Sequence, residues 1–320
     1  MTSKHRALSL CLCLFAVVFP LSLLAQSAPV PNPSGKTIAE RLGYPANSRL
    51  LVIHADDFGM MHTVDTAIEE AFENHWITSA SLQVPCPWFP EVATWAKLHP
   101  DADLGIHLTL NADWTPLRWV PVSPQGKDSS LLDADGYLPL TSEYVAAHAK
   151  IPDVQTELHA QIDKALSAGI HISHLDSHMG ALYGTAALFD TYVDLGRSYH
   201  VPVRMERNPP PEWHEVVPAD AIALDKVIEM MPGIPDSRWL AEYKKILSAL
   251  PPGAYQMVVH LAHNDEEMSG ATFDHPNWGA QWRQNDFDTV RSPEFHKFLK
   301  EQGFILVSWR DLAKAAPTAK

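Results

Sequence analysis

Four short stretches of the 320-residue chain set acids and imidazoles where they could work together. His54-Ala55-Asp56-Asp57-Phe58-Gly59 puts two adjacent carboxylates directly after the apolar run Leu51-Val52-Ile53. Adjacent carboxylates repel, so the pair asks for a compensating cation. The same two acids ahead of a helix could instead cap its N-terminus. Gly105-Ile106-His107-Leu108-Thr109-Leu110 holds one imidazole in an apolar run, which suits a hydrogen-bonded core histidine as well as a ligand. His174-Leu175-Asp176-Ser177-His178 is more specific, because alternation along a strand puts His174, Asp176 and His178 on one face. Two imidazoles and a carboxylate converging there form either a metal shell or the hydrogen-bonded layer that orients one. Finally, Met257-Val258-Val259-His260 and the His263-Asn264-Asp265 after it end another apolar run in His and Asp, from which a general acid could come.

Such residues need a scaffold that delivers them to one place. From Arg49 onward, short β-rich apolar runs alternate with segments of helical period, the pattern of β/α units around a parallel sheet. Strands are expected at Leu50–His54, Ala80–Val84, Leu104–Leu108, Ile172–Leu175, Val201–Met205, Gln256–Leu261 and Ile305–Trp309. Helices are expected near 63–74, 88–99, 153–168, 185–199, 237–249 and 292–302, from apolar residues three or four apart. The fold class is therefore α/β, with about seven parallel strands favouring a distorted, TIM-barrel-like (β/α) barrel over an open doubly wound sheet. In either architecture chemistry gathers at the carboxyl ends of strands, where all four stretches lie. Two segments interrupt the alternation. Residues 110–150, with Trp114, Trp119, Tyr137 and several prolines, read as a long ordered loop over one end of the sheet, and 206–236 is dense in proline.

Composition narrows the function. The formal charge of −14 excludes a polyanion as the natural partner, since phosphate binding needs a basic footprint. Seventeen His and ten Trp suit metal ligation and flat apolar surfaces for rings, which points to an enzyme acting on something sugar-like. Lys4 and Arg6, then an apolar run from Ala7 to Ala25, form a secretory signal pattern, with cleavage expected near 25–28. An uncleaved anchor is the competing reading of a run of that length. The mature chain is then exported, periplasmic or secreted, without stable membrane association, and keeps Cys86 as its only cysteine, so no internal disulfide is expected. The domain plan is a signal peptide at 1–25, a linker at 26–48, one domain at 49–314 and a tail at 315–320.

Taken together, the motifs resemble the YdjC-like, or ChbG-type, carbohydrate deacetylases. The resemblance rests on Ala55-Asp56-Asp57-Phe58-Gly59, on Gly105-x-His107-x-x-Leu110, on His174 to His178 at every position, and on a later strand ending in His260. It also includes the Ser292-Pro293-Glu294-Phe295 helix followed by Gly303 to Trp309, and spans about residues 49–312. It implies a distorted β/α barrel and removal of acetyl from N-acetylated sugars by metal-activated water. It further implies Asp57, His107 and His178 as metal ligands, Asp56 as the acid that activates water, and His260 as the acid for the leaving amine. The family implies Mg²⁺, whereas imidazole ligands suit Zn²⁺ or a similar transition metal. Three departures stand out: His54 where the family has Asn, Met179-Gly180-Ala181-Leu182 after the His-rich motif, and His260-Leu261-Ala262 where His-Pro-Gly is usual. Trp114, Trp119 and Tyr137 could stack on sugar rings or simply pack their loop, and Arg204 could meet substrate oxygen or make an ordinary ion pair. Two other functions stay open: a metal-dependent hydrolase for a phosphoester or a different amide, and a non-catalytic secreted sugar-binding protein.

Overall fold

The computed structural model describes residues 35–124, 126, 129–207, 218 and 221–316. The export segment expected at 1–25 and the last part of the tail, 317–320, lie outside the described residues. Seven parallel strands form one sheet: β1 (Arg49–Phe58), β2 (Ser79–Leu82), β3 (Leu104–Leu108), β4 (Ile172–Ser177), β5 (Lys226–Ile228), β6 (Gly253–Val259) and β7 (Phe304–Leu306). Their order is β4-β3-β2-β1-β6-β5. β1 is the hub, pairing with β6 from Arg49 to Ala55, with β7 over Arg49–Leu51 and with β2 from His54 onward.

Between β4 and β5 the pairing thins to two isolated parallel bridges, Leu175 with Val203 and Glu206 with Leu224. The sheet curls into the distorted barrel the alternation predicts, stitched loosely on that side. The strand expected at Val201–Met205 is thus a single rung: Leu175 donates to the Pro202 carbonyl and Arg204 donates back to Leu175. Pro202 has no N–H with which to extend the ladder. β5 lies instead inside the proline-dense stretch, where three residues are too short to leave a pattern. β7 stops at Leu306, and Trp309, expected at its end, opens a helix.

Helices α2 (His62–Glu73), α3 (Phe89–Leu98), α5 (Ile151–Ser167), α6 (Ala186–Tyr199), α7 (Trp239–Ser248) and α10 (Pro293–Glu301) fall where the periodicity predicts them. The long loop also contains α4 (Ser142–His148), and α8 (Glu266–Ala271), α9 (Ala280–Val290) and α11 (Trp309–Ala313) are additional. Residues expected to be linker include α1 (Ile38–Arg41), where Ile38 and Ala39 are buried against Leu50, Val52, Trp309 and Leu312. The folded unit therefore begins before Arg49. No described helix is long and apolar enough to cross a membrane.

Strand alternation sorts the buried residues into two sets. Leu51, Ile53 and Ala55 of β1, Met257 and Val259 of β6, and Leu104, Ile106 and Leu108 of β3 join the large apolar core beneath the helices. The other face of the same strands fills the barrel. Leu50 and Val52 belong to the apolar plug with α1 and α11. Above it Trp309 stacks on His174 (5.0 Å between centroids, 12°) and donates to Gln256 at 2.9 Å. Higher still lie His54, Asp176 and Ser81, and then Asp56 and His107 at the carboxyl end. Small residues make room for this polar column. A Cβ on Gly105 would lie 2.3 Å from the His174 ring, so glycine at 105 is what lets that imidazole sit against β3.

Candidate active site

Alternation would send one of two adjacent acids out of the barrel. Two local features bring both to the same cavity: the pairing of β1 with β2 shifts register between Ala55 and Phe58, and Asp57 adopts a left-handed φ of 68°. For a residue with a Cβ this conformation costs about 1–2 kcal/mol. The turn is held by Met60 N–H to the Asp57 carbonyl (3.0 Å) and Gly59 N–H to the buried Asp65 carboxylate (2.7 Å). Neither acid caps a helix, because the N-cap of α2 is Met61 and makes no side-chain bond.

Asp57, His107 and His178 meet as their spacing at strand ends allows. Asp57 Oδ1 lies 3.5 Å from His107 Nε2 and 3.6 Å from His178 Nδ1, and the two nitrogens are 3.1 Å apart. All three side chains are buried. The far side of each imidazole is bound by a carboxylate: His107 Nδ1 to Asp176 at 2.8 Å, and His178 Nε2 to Asp113 at 2.9 Å. Those contacts place a proton on the outer nitrogen and turn the inner lone pair toward the centre, the arrangement that orients metal-ligating histidines. Two inward lone pairs 3.1 Å apart repel unless a proton or cation lies between them. Asp57 Oδ1 is buried without a hydrogen-bond partner, while its other oxygen accepts from Arg283 at 2.8 Å. One carboxylate and two imidazoles with an orphaned oxygen at their focus fit a divalent cation.

Electrostatics support that fit. Burial alone would push the Asp57 carboxyl up, but the Arg283 guanidinium and then His178 hold it well below the usual carboxylate range. Burial likewise opposes charge on His178, yet Asp113 and then Asp57 raise its pKa to about 10. Asp56 stands beside this trio, 3.9 Å from His107 Nε2, with its other oxygen 3.2 Å from His54. Burial raises its pKa, but the neighbouring His107, along with His54, outweighs that and lowers it. His54 also contacts Asp176 and Ser81 at 3.1 Å each. Burial disfavours its charge, but Asp176 and Asp56 bring its pKa up to about 9.

His260 follows β6, with Nε2 3.9 Å from Asp56. Its backbone N–H donates to buried Asp286 of α9 at 2.9 Å, and that carboxylate also accepts from Trp239 and Tyr243, which pins the strand end. These residues open into a cavity of about 630 Å³ that Arg204 also lines, joined by Trp114, Trp278, Trp282 and Met179. Arg204 accompanies it with a guanidinium close to the Ser177 carbonyl (3.4 Å). Of the aromatic residues considered for sugar stacking, Trp114 lines the cavity. Trp119 is buried and donates to the Asn111 carbonyl, and Tyr137 packs under Arg118. His263 packs on Phe287 and Asp265 caps α8, so neither shares the site. Sequence reasoning missed Asp113, Glu229, Trp278, Trp282 and Arg283. Arg283 and Trp282 come from α9, whose buried face carries polar residues and so shows no apolar period.

A curled parallel sheet with an acid-and-imidazole cluster at its carboxyl end defines a (β/α)-barrel hydrolase-type site. The YdjC-like protein family model matches residues 50–301, and the chain belongs to that family. It is 25% identical over 263 residues to a carbohydrate deacetylase of Thermoanaerobacter pseudethanolicus, covering 82% of this chain and 98% of that protein. It is 30% identical over 294 residues to a carbohydrate deacetylase of Thermus thermophilus, covering 87% and 98%. A crystal structure of a candidate cellobiose-phosphate cleavage protein from Enterococcus faecalis V583 superposes with a TM-score of 0.68 at 23% identity. The match covers 83% of this chain and 99% of that one, and shares the fold.

Proposed function

We propose that this chain is an exported, metal-dependent carbohydrate deacetylase that removes acetyl from an N-acetylated sugar or oligosaccharide. The observation that carries the reading is the orphaned Asp57 oxygen facing two imidazoles whose outer nitrogens are each held by a carboxylate. The relatives' shared name supports the substrate class. A divalent ion held by Asp57, His107 and His178 supplies Lewis acidity, which acidifies water and polarises an acetamide oxygen. The motif resemblance implies Mg²⁺, and the ligand chemistry suits Zn²⁺ or a similar transition metal. Asp56, ionised and next to the trio, accepts the proton of the attacking water. His260, across from Asp56, gives a proton to the departing amine nitrogen. Trp114 and Trp278 supply apolar faces suited to sugar rings. Export rests on the basic start and apolar run of residues 4–25.

The test is acetate release by the purified mature protein from a panel of N-acetylated mono- and oligosaccharides, with Mg²⁺, Mn²⁺, Co²⁺ and Zn²⁺ supplied in turn. Release from at least one sugar with one ion is the expected outcome. Silence across the panel together with hydrolysis of a phosphoester would replace this reading with the other hydrolase class.

A further inference from the structure

We propose that Glu229 is a positioning residue that orients His260 as the proton donor. The inference rests on the deacetylase reading above and deepens it at one residue. Glu229 follows β5, the strand hidden in the proline-dense stretch, and lines the same cavity as Asp56 and His260. His260 therefore lies between two carboxylates: Nε2 faces Asp56 at 3.9 Å and Nδ1 faces Glu229 Oε1 at 3.8 Å. Nδ1 is buried without a hydrogen-bond partner. Asp286 meets His260 through the backbone N–H at 2.9 Å. The Glu229 side chain is 39% exposed, and a shift of under about 1 Å brings it from 3.8 Å to hydrogen-bond distance.

That bond decides which nitrogen does the chemistry. With Nδ1–H held by Glu229, the second proton of the imidazolium sits on Nε2, on the Asp56 side where substrate enters. As the C–N bond of the tetrahedral adduct breaks, its electron pair goes to nitrogen and the carbonyl re-forms. The Nε2 proton joins that nitrogen, leaving a neutral imidazole with Nδ1–H on Glu229. The proton that Asp56 took from water then returns to Nε2 and resets the pair.

A leaving group that needs no proton separates this role from a general structural one. Glu229→Gln, Glu229→Asp and His260→Ala are assayed with the divalent ion supplied, on an N-acetylated sugar and on 4-nitrophenyl acetate. On the sugar, Glu229→Gln should lower kcat on the order of 10- to 100-fold with KM little changed, below the 10²–10⁴ that general-acid catalysis itself contributes. On the aryl ester it should stay within about twofold of wild type. Glu229→Asp should recover part of the loss, and adding Glu229→Gln to His260→Ala should cost nothing further. Equal loss on both substrates, or an additive double variant, overturns the proposal alone. A wild-type protein that releases no acetate from any N-acetylated sugar overturns the deacetylase reading and this proposal with it.

Discussion

Asp56 and Asp57 are adjacent in sequence and share a charge and near-complete burial, yet their surroundings divide their work. Asp57 has one oxygen tied to Arg283 and the other aimed at two imidazoles, whereas Asp56 leans on His54 and faces His260. Asp57→Asn should release the ion, because it removes the anionic ligand from a set otherwise made of neutral imidazoles. Asp56→Asn should keep the ion and lose about 10²- to 10⁴-fold in rate. Elemental analysis and acetate assay on both proteins check this, and equal metal loss would make Asp56 a ligand as well. The motifs make this pair legible in the sequence, as they do His107 and His260, because each follows an apolar run, whereas His178 is legible from its alternation with His174 and Asp176. Asp113 is not legible, since nothing in the loop after β3 distinguishes its carboxylate from the others there.

At the scale of elements, sequence and structure agree where burial follows a simple period and part where the barrel buries polar groups. β3 lies at its expected limits and α2, α3, α5, α6, α7 and α10 within a residue or two, because apolar spacing reports a face packed on the core. α9 leaves no such trace. Arg283, Asn285, Asp286 and Thr289 are all buried there, serving Asp57, the His260 backbone and the helix's own contacts. A site that needs buried charge breaks the local rule that would have revealed its helix. The same compromise governs β3, where Gly105 gives His174 its place. Gly105→Ala should force the ring or the strand to move and cost about 1–3 kcal/mol. A thermal melt of the variant checks it, and an unchanged Tm would mean that His174 relaxes freely.

For the whole molecule, the sequence alternation identifies a β/α barrel but not how its wall closes, since single bridges at Val203 and Glu206 leave no run of residues to read. Cys86 is buried and unpaired, so among the described residues stability rests on the core. If the export reading holds, intact-mass analysis of the protein collected outside the cytoplasm should give an N-terminus near residues 25–28. A product beginning at Met1 would contradict it.

In the proposed mechanism deacetylation depends on one divalent ion held by Asp57, His107 and His178. Acetate release from the best N-acetylated sugar, measured on chelator-stripped protein during titration with the ion, tests it most directly. The rate should fall near zero after stripping and recover fully at one equivalent of ion per chain. A stripped protein that keeps its full rate, with far less than one ion per chain by elemental analysis, would contradict it.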